Sequence, residues 1–354
     1  MIQLGGFQVQ FASMKQISRR DFFKLGGMAL ASLAFTSFLP EFCEFEDIDL
    51  VRVAKDPVSV YKEPTDTSQI IGTWNRDDLV HVYETVDSGT PGENPIWYRV
   101  FGGYMHRARL QKVRIHYNTP LTSVPDTKLL SEVTVPYTQA YRYNQWDGWF
   151  PTYRLYFSSI QWITGIDTGP DRKAWYLIQD EADKNVHYFV PTVQLRPISL
   201  EEITPLSPDV PIGKKSIDVN LTTQILTCSE YDKVVFSTLV STGVPGLFAT
   251  PNGNFNIQVK LPSRNMSTSS RLADDIIPLV GVPWCCFFTG EGHAFHGTYW
   301  HDNFGVPMSH GCVNMRTEDA QKLFRWSLPS AGFDEISKLT LDTKGYGTPI
   351  DIHY

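Results

Sequence analysis

The stretch His293–Met315, HAFHGTYWHDNFGVPMSHGCVNM, holds four of the nine histidines of a 354-residue chain and a cysteine in the run Ser309-His310-Gly311-Cys312. A thiol is already slightly ionised near neutral pH, and an imidazole within reach raises that share, so Cys312 is the candidate nucleophile. Gly311 has no side chain, which lets a carbonyl carbon approach the sulfur while backbone N–H groups face the carbonyl oxygen. His310 is a poor base for its neighbour, because adjacent side chains on an extended segment point to opposite faces. His296 is the better base: it closes the apolar runs Trp284–Phe288 and Ala294–Phe295, which places it at the end of a strand facing Cys312 across a sheet.

Two other readings compete with this one. A cysteine is more often a small buried apolar residue than a nucleophile, and Cys228, Cys285 and Cys286 fit that description. Cys312 departs from it because glycine, histidine and serine surround it. The set His293, His296, His301, His310 and Cys312 also offers nitrogen and sulfur donors to a metal, but no HExxH or CxxC spacing is present. No metal and no cofactor is therefore expected. Cys285 and Cys286 are adjacent and would face opposite sides of a strand, so no disulfide joins them, and a pairing elsewhere stays open.

His296-Gly297 followed by Ser309-His310-Gly311-Cys312-Val313-Asn314 resembles the signature of the L,D-transpeptidases, or YkuD-type catalytic domains. The likeness continues upstream through KSIDVNLTTQILTCSEYDKVVFSTLVSTG (Lys215–Gly243), the TPNGNFNI turn and strand (Thr250–Ile257) and Val282-Pro283-Trp284. The resemblance implies that Cys312 is acylated by a peptidoglycan stem peptide, that His296 is its base, and that the Gly297 carbonyl orients the imidazole. It implies that His310 and Ser309 shape the turn, that the N–H groups of Gly311 and Cys312 form an oxyanion hole, and that Asn314 braces the loop or the donor. Tyr299 and Trp300 would line the pocket with Ser309 and Asn314, core packing being the alternative for the two aromatics.

These groups need a scaffold. At 42% apolar residues the chain has material for two or three domains, and a formal charge of −7 argues against a nucleic-acid partner. The expected fold is mainly β: one or two small barrels, then a mixed β-sandwich catalytic domain over residues 212–354 with a short helix after the cysteine. Residues 51–113 alternate short β-type runs with turns and resemble a bacterial Src-homology-3-like domain, opened by Val58-Ser59-Val60-Tyr61 and carrying Trp97-Tyr98-Arg99-Val100 late. Residues 131–198 read as a second copy, since both end in a similar phrase, ARLQKV and VQLRPI. The aromatic segment Tyr141–Trp162 reads as packing, or, if exposed, as a platform for sugar faces of the wall. Pro197–Pro211 reads as a linker, and the polar run within Leu261–Leu279 as a loop able to cover the cysteine or as an ordinary excursion. Thr317 is the expected N-cap of a helix reaching Trp326, and Thr348–Ile352 the closing strand.

Residues 1–42 read as a twin-arginine export segment, with Ser18-Arg19-Arg20-Asp21-Phe22-Phe23-Lys24 ahead of the apolar run Leu25–Leu39, and Met14 as the start that would give a compact signal. No clean cleavage site precedes Pro40 and Cys43 lacks a lipobox, so cleavage and membrane anchoring stay open. The residues thus point to an exported cysteine acyltransferase of the cell envelope, and the resemblance implies that it links peptidoglycan stem peptides through Cys312. The alternatives are an L,D-carboxypeptidase that passes the same acyl group to water, and a wall-binding protein without catalysis.

Overall fold

The computed structural model describes residues 49–55, 57–181, 183, 185–267, 278–330 and 347–354. The export segment, Met14 and Cys43 lie outside them. Alternating β-branched or aromatic and polar residues make strands throughout.

The first unit holds β1 (Leu50–Val53), β2 (Val58–Tyr61), β3 (Ile70–Trp74), β4 (Leu79–His81), β5 (Glu84–Asp87), β6 (Ile96–Val100), β7 (Gly103–His106) and β8 (Leu110–Val113). They form two open sheets, β4-β1-β8 and β3-β2-β7-β6-β5, over a shared core that includes Val51, Val60, Val80, Tyr98 and Met105. Among the described residues no closed barrel forms, because each sheet keeps two free edges.

The second unit is a single seven-stranded sheet of β9 (Leu129–Val133), β10 (Tyr137–Asn144), β11 (Gly148–Tyr156), β12 (Ile160–Thr168), β13 (Ala174–Gln179), β14 (His187–Pro191) and β15 (Leu195–Pro197). Its order, β11-β10-β14-β13-β12-β9-β15, does not repeat the sheets of the first unit. The two matching phrases do fold alike: each is a 3-10 turn, Arg107–Arg109 or Thr192–Gln194, leading into the last strand of its unit.

The third unit carries β16 (Lys215–Asn220), β17 (Ile225–Glu230), β18 (Lys233–Leu239), β19 (Gly253–Asn256), β20 (Val259–Ser267), β21 (Pro278–Phe287), β22 (Ala294–Gly297), β23 (Val313–Met315), α1 (Thr317–Trp326) and β24 (Pro349–His353). One sheet runs β18-β17-β16-β24-β19 and the other β20-β21-β22-β23. Each mixes antiparallel pairs with one parallel pair, β16 with β24 and β22 with β23. Ile217, Val219 and Ile350 from the first sheet share one core with Trp284, Phe295 and Val313 from the second and with Leu323 and Phe324 of α1. The architecture is mainly β, with a short helix just after Cys312.

Three local expectations are corrected. Arg316, not Thr317, stands at the N-cap of α1, and no side chain bonds there, although Glu318 and Asp319 do occupy the first turn. Leu261–Ser267 is strand rather than loop, because Arg264 pairs with Val282 and Met266 with Leu279; residues 268–277 of the proposed cover lie outside the described residues. Pro197–Pro211 is not a free tether: Ile198 and Ile203 are buried in the core of the third unit, and the Leu206 N–H donates to the Arg325 carbonyl at 2.9 Å.

Two buried lysines hold the C-terminal end of α1. Lys215 Nζ donates to the Trp326 carbonyl at 2.8 Å, and Lys260 Nζ to the Ser327 and Pro329 carbonyls at 2.8 and 3.0 Å. Cations there satisfy carbonyls without helical partners and oppose the negative end of the helix dipole.

Candidate active site

His296 lies in β22, a strand buried at all four positions, and pairs in parallel register with Asn314 of β23. Its Nδ1 is 3.0 Å from the Gly297 carbonyl. That oxygen can only accept, so Nδ1 carries the proton and Nε2 keeps a lone pair. Burial holds the imidazole down at about 4, so near pH 7 it is a neutral base.

Cys312 stands one residue before β23, half-buried, and the register carried back by one residue sets it beside Ala294. With a period of two, Cys312, Asn314 and His296 fall on one face of the sheet. Strand spacing and rise put the Cα atoms of His296 and Cys312 about 8 Å apart. Sγ lies 3.9 Å from the Gly292 carbonyl and takes a backbone hydrogen bond from Ala294, and among the described residues no hydrogen bond joins it to the His296 ring. Burial pushes the Cys312 thiol up, offset in part by a backbone hydrogen bond with Ala294. The resting pair is a neutral thiol and a neutral imidazole, and turning the Cys312 side chain toward β22 is what would bring them together.

The cysteine turn is held from two sides. Ser309 Oγ donates to the Cys312 carbonyl and accepts from the Gly311 N–H at 3.1 Å. The Gly311 N–H is therefore engaged, so the expected pair of free N–H groups at Gly311 and Cys312 is not the resting arrangement. Thr250 Oγ1 donates to the Gly311 carbonyl at 2.9 Å and accepts from the Gly243 N–H at 2.8 Å. Gly243 itself has no room for a Cβ, which would fall 2.9 Å from Gly311 Cα. Thr250 and Gly243 belong to the matched segments, but nothing in their residue types announces this scaffolding. His310 is exposed and packs its ring against Phe248, 4.2 Å between centroids.

The loop from β22 to the turn is braced by buried polar pairs. The Asn314 amide lies 2.8 Å from His301 Nε2, while His301 Nδ1 accepts from the Asn303 N–H at 3.2 Å. Asn314 is thus part of that buried polar brace. Tyr299 takes the core-packing alternative rather than lining a pocket: it is buried, stacks on Tyr156, and donates its hydroxyl to the Val280 carbonyl at 3.0 Å. Trp300 is half-buried, with its ring 5.6 Å from that of His296 and 5.0 Å from that of Tyr299.

The first unit reaches into the same loop. Arg52 Nη2 donates to the Tyr299 carbonyl, Asn94 Nδ2 to Asn303 Oδ1 and the Asp302 N–H to the Ala108 carbonyl. An arginine among valines, Val51-Arg52-Val53, is the one signal in the sequence for this link.

Among the described residues, no three of His293, His296, His301, His310 and Cys312 come within ligating range of one another. The trio that does is Asp218, Asp351 and His353, on the other sheet. Cys228, Cys285, Cys286 and Cys312 are free thiols, the first three buried.

Residues 214–352 match the family model described as the L,D-transpeptidase catalytic domain, YkuD. No curated protein matches the chain. Among solved structures, an Enterococcus faecium L,D-transpeptidase carrying a cysteine-to-serine change aligns at 19% identity over 39% of this chain and 49% of its own, with a TM-score of 0.30. An L,D-transpeptidase from Mycobacterium smegmatis aligns at 17% identity over 51% of this chain and 77% of its own, with a TM-score of 0.32. L,D-transpeptidase 3 from Mycobacterium tuberculosis, in complex with a faropenem-derived adduct, aligns at 17% identity over 49% and 76%, with a TM-score of 0.32. The chain spans about half the length of the first of these.

Proposed function

We propose that this chain, whose residues 214–352 carry an L,D-transpeptidase catalytic domain, is an exported cysteine acyltransferase that joins peptidoglycan stem peptides through an acyl-enzyme on Cys312. The observation that carries the reading is the parallel pair β22–β23, which sets Cys312 on the same face as a buried imidazole whose Nε2 is free to accept.

In the first half-reaction His296 Nε2 takes the thiol proton, and Sγ bonds to the carbonyl carbon of the third stem residue. The C–N bond to the terminal D-alanine breaks, and His296 returns the proton to the leaving amine. The Gly297 carbonyl keeps Nδ1–H in place, so the same nitrogen serves as base and then acid. The oxygen that becomes negative on the way needs donors, and the turn at Gly311–Cys312 can supply them once Ser309 releases the Gly311 N–H. The amine of a second stem then attacks the thioester, giving a link between two third-position residues.

Export by the twin-arginine route and residence in the envelope, with anchoring by the N-terminal segment left open, belong to the same proposal, because the substrate lies outside the cytoplasm. Wall binding by the two N-terminal units is a further part of it: Trp146 is 85% exposed and Tyr143 56%, both near the turn between β10 and β11, where rings can stack on sugar faces.

The test is product analysis with tetrapeptide muropeptides. Dimers joined through third residues support the transpeptidase, tripeptides alone would replace it by the carboxypeptidase, and no D-alanine release would remove both.

A further inference from the structure

A second imidazole borders the cysteine turn. His293 ends the hairpin connection between β21 and β22, its carbonyl accepting from the Phe288 N–H at 2.9 Å. Its Nδ1 lies 2.8 Å from Thr289 Oγ1, which also accepts from the His293 N–H at 3.1 Å. Its ring stacks against Phe288, 27° between planes, so two contacts fix its orientation. The far edge of the ring abuts Gly311: a Cβ there would come within 2.8 Å of both His293 Cδ2 and Nε2. The residue before it, Gly292, supplies the carbonyl that Sγ of Cys312 touches at 3.9 Å.

The His293 ring edge thus borders Gly311, the residue before Cys312, on the side of the turn where the Gly292 carbonyl meets Sγ. His296 is buried, and His293 is half-buried beside the Ser309–Cys312 turn. Of the two imidazoles His293 is the more open to solvent, so an incoming amine can reach it more readily than the buried His296.

The geometry points to His293 as the proton acceptor for the second half-reaction, with the side-chain amine of the acceptor stem as the group it deprotonates, and with Thr289 as its positioning residue. This rests on the proposed transpeptidase reading. In the tautomer this role requires, Nδ1–H donates to Thr289 Oγ1 and Nε2 carries a lone pair toward the turn. The acceptor enters as the free amine. Its nitrogen bonds to the thioester carbonyl carbon, and its proton passes to His293 Nε2. The C–S bond breaks with its electron pair on sulfur, and the proton moves from His293 to Sγ. Nothing is oxidised, and no net proton is consumed. The two histidines thus divide the cycle, His296 serving acylation and His293 aminolysis.

The experiment separates the half-reactions with a tetrapeptide stem and the full chain. Burst release of D-alanine and the mass of the acyl-enzyme report the first, and dimer formation reports the second. For His293→Gln the expected result is burst release within about twofold of the parent, an accumulated acyl-enzyme, and dimer formation lowered about 100-fold, as for the loss of a general base. Thr289→Val should slow the same step about tenfold, less than the loss of the base itself, while Thr289→Ser, which keeps the hydroxyl, should restore it. Burst release and dimer formation falling together in His293→Gln and in Thr289→Val would overturn the assignment and leave His293 a structural support of Gly311. Parental dimer formation in His293→Gln would overturn it as well. A parental chain that releases no D-alanine refutes the proposed function instead, and the inference falls with it.

Discussion

Arg52 Nη2 donates to the Tyr299 carbonyl at 2.8 Å, a bond between residues 247 positions apart. The same guanidinium bonds Gln111 and Asp77 and lies over the Tyr156 ring, 4.0 Å from its centroid. The core of the first unit therefore ends on the loop that leaves His296 and leads to Cys312. Replacing Arg52 with Met removes a buried donor and leaves carbonyl and amide oxygens without it, a change that costs about 3–5 kcal/mol when one partner of a buried pair is lost. Urea unfolding should show that loss, and the rate of covalent modification of Cys312 should fall with it. An unchanged midpoint and rate would mean that the loop does not depend on the first unit.

Asn314→Ala leaves His301 Nε2 buried without a partner, which costs about 1–3 kcal/mol. The expected outcome is a lower unfolding midpoint and a slower acylation, because the loop holding Trp300 against His296 loosens.

Gly311 has φ of +112°, a conformation that side chains rarely adopt, and its missing Cβ would stand 2.8 Å from the His293 ring. Gly311→Ala should cost about 1–3 kcal/mol in backbone strain and depress both half-reactions, since it displaces the turn as well as the ring. A variant with parental activity would contradict the placement of His293 against this glycine.

Acid should act through two buried imidazoles, His296 held at about 4 and His301 at about 3, both below the ordinary 6.5. Their folded forms are neutral, so the unfolded chain binds more protons as pH drops below 6.5, and stability is lost progressively from there through about 4 and about 3. Acylation should stay level from neutral pH down toward 4, because the base does not protonate sooner. Stopped-flow modification rates across pH 4–8 check this; a titration centred near 6.5 would show a solvent-accessible base instead.

Much of the scaffold was readable because strands advertise themselves by alternation. Ile217 and Val219 point into the core of β16 as their period of two requires, and the apolar run ending at His296 is indeed the buried strand β22. Closure of the first sheets was not readable, since short strands with regular turns build open and closed arrangements alike. Nor was the true character of Leu261–Ser267, where a polar run pairs as an edge strand whose backbone bonds do not depend on side-chain polarity. At the site, Cys312 and His296 stood out by residue type and spacing. Thr250, Thr289 and Arg52 did not, because each acts through a contact far away in the chain or through a hydroxyl no different from any other. His293 was visible only as one histidine among four.

Whether Cys312 is the acyl acceptor is decided by intact-mass measurement after incubation with a carbapenem, followed by peptide mapping. The prediction is a single covalent adduct, mapped to Cys312 and absent in Cys312→Ala, forming at least about 100-fold more slowly in His296→Ala, within the usual contribution of a general base. An adduct on Cys228, Cys285 or Cys286, or none on the folded parental chain, would contradict it.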